Sequence, residues 1–213
     1  ALDRYLFSEQ GTLANHERTQ TGLALQGPRA TALVSRLVGT TVSLPTPGDH
    51  VVVQLQEIAV RLIRHSLTDE PGILCLVPAE DALTVWETLS RRAQPLSLTL
   101  VGWEALNVAR IEAGIPRYGI DMDETVTLPE TGLESIAASE TKGCYPGQEV
   151  VARIKAYGGL NRKLCGLIFD KEGLPRMKDK VLKGKEEIGF VTSACHSFAL
   201  GKGIALTYLK KGN

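Results

Sequence analysis

Residues 21–37 read TGLALQGPRATALVSRL, and this stretch decides the class of fold. Thr21–Gly27 reads as a short buried strand. Pro28 then occupies the first turn of an amphipathic helix that runs to Leu37, with Gly39 just past its end. Proline's missing N–H costs nothing at a helix start, and glycine suits the left-handed conformation at a helix end. Downstream, Val51–Leu55, Ile58–His65 and Ile73–Pro78 are β-rich runs separated by turn residues. Ala79–Ala93 has helical spacing, with Val85, Trp86 and Leu89 on one side. Strand, helix, three strands, helix predicts an α+β fold in which helices pack on a mainly antiparallel sheet.

A further helix pattern spans Gly102–Ala113 and stops at Gly114-Ile115-Pro116, a glycine cap with a proline beyond it. Asp121–Glu140 is acidic and turn-rich. After Gly158-Gly159 the character changes: Leu164–Phe169, Ile188–Ala194 and Ile204–Leu209 are short strands split by Gly- and Lys-rich turns. This pattern predicts a small β-barrel or sandwich and divides the chain near residue 158, into regions 1–157 and 158–213.

The composition supports a packed core: 213 residues, 43% of them hydrophobic, need no disulfide or metal to fold. Net charge is zero, which argues against a general nucleic-acid coat. The charge is uneven, however. Residues 1–157 hold 13 basic and 19 acidic groups, and residues 158–213 hold 11 and 5. The lysines of the second region are expected on loops, because alternating Ile204, Leu206 and Tyr208 leave them no inward positions. No apolar run approaches the roughly 18 residues a membrane span needs, and ALDRYLFSEQ is not a secretory signal. The chain starts without Met and in mid-pattern, as a trimmed chain would. Cys75, Cys144, Cys165 and Cys195 contain no CxxC pair, so no zinc or iron–sulfur ligand set is predicted and a reducing, cytoplasmic home is expected.

Two places break local rules. Glu112 has Ala105, Val108 and Ala109 as angular neighbours, while Glu104, Asn107 and Arg110 form a separate polar stripe. It also lies in the last helical turn, where the macrodipole disfavours an acid. Such a carboxylate needs donors. Either Arg110 or Arg117 supplies a salt bridge, or a ligand presents paired N–H groups.

The second place is Lys142-Gly143-Cys144-Tyr145-Pro146-Gly147-Gln148-Glu149. Pro146-Gly147 suits the centre of a type II turn. Val150, Val151 and Ile154 then share one face of a short helix on which Glu149 and Arg153 are spaced to pair. Cys144 sits before a helix start with Lys142 nearby, and both features favour a thiolate. Cys75 and Cys165 have the surroundings of core thiols, which leaves Cys195 as the competitor for reactivity. Asp121, Asp123 and Glu124 lack the glycine and distal glutamate of a calcium loop and read as a solvated acidic loop. Gly201-Lys202-Gly203 lacks P-loop spacing, and His196 has no partner motif.

These segments together resemble a known family. Arg110–Gly119 (RIEAGIPRYG) is similar to the helix-end signature of the glycine-cleavage T-protein (aminomethyltransferase, GcvT-like) superfamily. Leu25–Pro28, Gly189–Thr192 and Gly201–Ala205 look like its other landmarks. Lys142–Glu149 with Arg153 resembles the KGCYxGQE…R pattern of its YgfZ branch, folate-binding proteins linked to iron–sulfur cluster assembly or repair. The resemblance spans essentially the whole chain. It implies a tetrahydrofolate-binding α+β region (1–157) followed by a C-terminal β-barrel (158–213). It also implies that Glu112 grips the aminopyrimidine edge of the pterin, that Tyr118 or Tyr145 borders the ring, and that Arg153 lies near the folate.

Two departures stand out. The family has a further N-terminal portion before the stretch matching Ala1–Phe7, and in the transferases it carries the catalytic Asp. The transferases also usually have Phe in place of Cys144-Tyr145. The reading that follows is a tetrahydrofolate-binding accessory factor for iron–sulfur client proteins. Cys144 is its reactive thiol, and Lys142, Gly143, Gly147, Gln148 and Glu149 support that thiol. The alternative is a folate-dependent aminomethyltransferase. A third reading is a non-catalytic binding module whose basic C-terminal unit docks on RNA or an acidic protein.

Overall fold

The computed structural model describes residues 10–170 and 173–212. They form two compact units, one ending at Leu100 and the other starting at Val101.

The first unit contains β1 (Gln20–Gln26), α1 (Ala30–Val38), β2 (His50–Leu55), β3 (Ile58–Arg64), β4 (Gly72–Pro78) and α2 (Ala82–Ala93), in that order. The strands form one antiparallel sheet in the order β1-β4-β3-β2, so the first strand pairs with the fourth. The expected strand–helix–three strands–helix pattern is therefore present. Ala79–Asp81 forms a separate 3-10 turn before α2. On β4, alternation buries Ile73, Cys75 and Val77 against Val34 and Leu37 of α1 and Val85 and Leu89 of α2. Trp86, expected on that buried side, is exposed instead. It follows Val85 by one residue, about 100° around the helix, and Val85 and Leu89 already fill the apolar face.

The second unit begins with α3 (Trp103–Glu112), followed by the short helices α4 (Leu128–Thr131) and α5 (Glu134–Ala137) and the longer α6 (Gln148–Tyr157). Four strands follow: β5 (Arg162–Phe169), β6 (Lys180–Lys183), β7 (Glu186–Ser197) and β8 (Lys202–Lys210). They form a second antiparallel sheet, ordered β5-β8-β7-β6. The short strand β6 has no counterpart in the sequence reading. The alternation expected for β8 is also corrected. Ile204, Ala205, Leu206, Thr207 and Tyr208 are all buried: β8 is an inner strand between β5 and β7, and Ile204 and Leu206 pack on Ile111 of α3. Compact packing divides at Leu100/Val101, whereas the change of composition near residue 158 falls inside the second unit. Among the described residues no helix is long and apolar enough to cross a membrane.

Candidate functional site

The end of α3 organises the second unit. Gly114 adopts φ 71°, a left-handed conformation that costs a glycine little. Its N–H reaches Ile111 O at 3.0 Å, and the N–H of Ile115 reaches Arg110 O at 2.8 Å, the paired bonds of a Schellman cap. The helix therefore stops at Glu112, and its last turn holds Arg110, Ile111 and Glu112 in three different environments.

Arg110 is buried, which corrects its assignment to a polar stripe. Its guanidinium bonds Asp121 Oδ2, Asn107 Oδ1 (2.8 Å), Ser193 Oγ (2.8 Å) and Ile115 O (3.1 Å). Asp121, read as part of a solvated loop, is 2% exposed. Its Oδ2 also accepts the N–H of Arg117 at 2.9 Å, and its Oδ1 accepts the hydroxyls of Thr192 and Ser193, both at 2.6 Å. Two neighbouring strand residues can reach one carboxylate because β7 carries a register shift between Val191 and Ser193 opposite β8. A bulge there breaks the up–down alternation of the strand. A buried charge needs this many partners, and those on β7, 71 to 83 residues away, are too distant in sequence to be read from periodicity.

Ile111 packs with Cys195, Ile204 and Leu206. Glu112 emerges beside them. Its Oε1 accepts the Ser197 hydroxyl at 2.6 Å and the Ala199 N–H at 3.2 Å. The Ser197 bond is the main reason its carboxyl titrates below the ordinary range. Burial opposes this, and the N–H groups of Ala199 and Phe198 reinforce it. Neither Arg110 nor Arg117 pairs with it: Arg110 is committed to Asp121, and the Arg117 guanidinium lies 4.7 Å over the Trp103 ring. Glu112 lines a cleft of about 290 Å³ with Ile111, Leu164, Cys165, Ile204 and Leu206 among its walls. An ionised carboxylate, held by one oxygen at an apolar cleft, can orient a flat ligand carrying N–H donors.

The Pro146-Gly147 turn and the helix start after it form as the spacing predicts. Gly147 has φ 87° and ψ −2°, and the Gln148 N–H bonds Tyr145 O at 3.1 Å, closing a type II turn over Pro146-Gly147 directly before α6. Cys144, directly before this turn, is exposed. The Lys142 ammonium lies 4.9 Å over the Tyr145 ring. Glu149 and Arg153 form no ion pair among the described residues, and both are solvent-exposed, where such a pair gains little. Arg153 lines a second cleft of about 530 Å³ with Val150, Ile154, Tyr157, Thr127 and Glu130. Tyr118 is exposed on the loop after α3. No contact among the described residues joins Glu112 to Tyr118, Tyr145 or Arg153. The partners of Glu112, Ser197 and Ala199, went unread in the sequence: a serine at a strand end carries no chemical signal until the fold brings it to a carboxylate 85 residues away.

Comparison with known proteins bears on this arrangement. The family model for the GCVT N-terminal domain matches residues 2–141. The chain belongs to the glycine-cleavage T-protein family. The model for the glycine cleavage T-protein C-terminal barrel domain matches residues 162–213, so the second sheet belongs to that domain and the α+β architecture is that of the family. An aminomethyltransferase of Moorella thermoacetica is 32% identical over 202 residues, covering 94% of this chain and 54% of that protein. One of Shouchella clausii is 30% identical over 204 residues, covering 95% and 55%. The crystal structure of glycine cleavage system aminomethyltransferase T from Bartonella henselae superposes with a TM-score of 0.71 at 22% identity, covering 90% of this chain and 52% of that one. This T-protein family member therefore spans about half the length of the curated relatives it matches.

Proposed function

We propose that this chain is the tetrahydrofolate-gripping part of a folate-dependent aminomethyltransferase-type protein. The observation that carries the reading is the Glu112 carboxylate, anchored through Oε1 at the mouth of an apolar cleft. The residues fit such a group. Oε2, free of hydrogen bonds among the described residues, is available to N–H donors of an aminopyrimidine edge, and Leu164, Ile204 and Leu206 offer an apolar wall to a flat ring. Tyr118 or Tyr145 is proposed to border the ring, and Arg153 to lie near the folate. Bound tetrahydrofolate would supply the acceptor for a one-carbon unit. The chain's own residues bind and orient it, keep Glu112 ionised and exclude water along the cleft wall. The relatives' name, aminomethyltransferase, favours transfer of an aminomethyl group; by the family resemblance its donor is proposed to be an aminomethylated lipoyl carrier that releases ammonia. Ammonia release that depends on both tetrahydrofolate and the aminomethylated carrier tests this. Release at the uncatalysed rate, with folate binding intact, removes the transferase reading.

A second reading is a YgfZ-type accessory factor for iron–sulfur client proteins. The exposed Cys144, directly before a type II turn within KGCYPGQE, favours it. Folate binding without ammonia release, together with loss of client-cluster protection in Cys144→Ser, is its expected signature. Equal protection by Cys144→Ser overturns it.

A further inference from the structure

The buried β7 face that meets the end of α3 presents Ser193, Cys195 and Ser197 in alternation. Across it lie Arg110, Ile111 and Glu112, so polar meets polar at both ends and apolar meets apolar between them. Ser193 serves the buried Arg110–Asp121 pair. Ser197 is fully buried and holds two things at once: its Oγ donates to Glu112 Oε1 at 2.6 Å and accepts the Leu200 N–H at 3.0 Å. Leu200 is itself a wall of the Glu112 cleft. With the Ala199 N–H at 3.2 Å, the segment 197–200 wraps Oε1. An sp² oxygen has two lone-pair directions, and both are taken.

From this geometry we infer that Ser197 is a positioning residue. It dedicates Glu112 Oε1 to the protein, turns Oε2 alone toward the ligand, and ties that orientation to the Leu200 wall. The inference rests on the reading of Glu112 as the folate-binding carboxylate. It adds that the ligand engages Glu112 through one oxygen rather than through a two-oxygen fork. The other titratable or charged groups facing this carboxylate among the described residues include Cys195 on β7, Arg110 on α3 and Cys165 on β5, which lines the same cleft. Arg110 is already neutralised by Asp121.

The test combines carbon-detected NMR titration of Glu112, assigned by its loss in Glu112→Gln, with calorimetric tetrahydrofolate binding to the whole chain. Ser197→Ala is expected to raise the Glu112 titration midpoint and to weaken binding about tenfold, as loss of a charge-assisted hydrogen bond does. Ser197→Thr, which keeps the hydroxyl, is expected to restore both. In a Glu112→Gln background, Ser197→Ala should weaken binding no further. An unchanged Glu112 titration in Ser197→Ala overturns the inference, and so does an equal loss of affinity in the Glu112→Gln background. If Ser197→Ala melts below the working temperature, Ser197→Cys, close in size and a weaker donor, takes its place with the same outcomes. If Glu112→Ala itself binds folate normally, the folate reading of Glu112 fails, and the titration still reports whether Ser197 holds the carboxylate.

Discussion

Arg110 Nη1 and Asp121 Oδ2 lie 2.5 Å apart with their side chains 7% and 0% exposed, a buried ion pair that joins the end of α3 to the loop after it. Burying two charges is costly unless each is fully hydrogen-bonded. Thr192, Ser193, Asn107 and two backbone groups meet that requirement. The pair therefore locates Glu112, two residues beyond Arg110, relative to β7.

Removing one partner leaves the other buried and uncompensated. Asp121→Ala should destabilise the second unit by about 3–5 kcal/mol. Urea unfolding can be followed through Trp103 fluorescence in a Trp86→Phe background, which isolates the second unit. A loss below about 1 kcal/mol, the range of exposed pairs, would contradict the structural role given to this pair.

Glu112→Ala should weaken tetrahydrofolate binding by about 1.5–3 kcal/mol, the worth of hydrogen bonds to a charged group. Its effect on folding should be smaller than that of Asp121→Ala, because Glu112 is exposed apart from its anchored oxygen. Titration calorimetry on the two variants separates binding from stability.

The pH dependence follows from the same carboxylate. Its folded-state value is depressed, first by the Ser197 bond. The contribution of Glu112 is thus present above the unfolded value of about 4.3 and is lost only as pH falls through the lower folded value. The part of folate affinity due to Glu112 should stay flat from pH 8 down to about 5. Affinity ratios of wild type to Glu112→Gln, measured across that range, check it; a ratio that collapses above pH 6 would rule out an ionised, anchored Glu112.

The four cysteines should label in an order set by exposure. Cys144 is exposed and should react with iodoacetamide first. Cys75 is buried, and that burial pushes its thiol up to about 12, so it should react only after unfolding. Cys195, the competitor expected from sequence, is also buried, and burial first and the Glu112 charge second raise its thiol. Cys165 is half-buried in the wall of the Glu112 cleft and becomes the real competitor. Its labelling should slow when tetrahydrofolate is bound, whereas that of Cys144 is the internal reference. Mass-spectrometric site assignment gives the order directly, and faster labelling of Cys195 than of Cys144 would contradict it.

Tyr208 offers a stability test with the opposite sign. Its hydroxyl is buried with no hydrogen-bond partner among the described residues, and burial pushes its phenol up to about 12. Tyr208→Phe removes an unsatisfied group and should be neutral or stabilise by up to about 1 kcal/mol. A loss beyond 1 kcal/mol in urea unfolding would show that the hydroxyl has a partner that matters.

Taken by itself, the sequence determined most of the elements, though not β6, α4 or α5. Strand and helix runs from Thr21 to Ala93, the Gly114 cap, the Pro146-Gly147 turn and the strands β5, β7 and β8 were legible because each depends on spacing or backbone preference within a few residues. It also singled out Glu112, since an acid in a last helical turn conflicts with its surroundings at short range. Tertiary structure alone decided which groups satisfy these conflicts. Asp121 looked solvated until Arg110, Thr192 and Ser193 enclosed it. Glu112 looked in need of an arginine or of a ligand's N–H groups until Ser197 and Ala199 reached it from β7 and the turn beyond. β8 looked half-exposed, whereas Ile204 to Tyr208 are all buried on the inner strand of the second sheet. The reason is common to all three: the partners are brought in by strand pairing and by one bulge, and hydrogen bonds across 71 to 87 residues leave no periodicity in the chain.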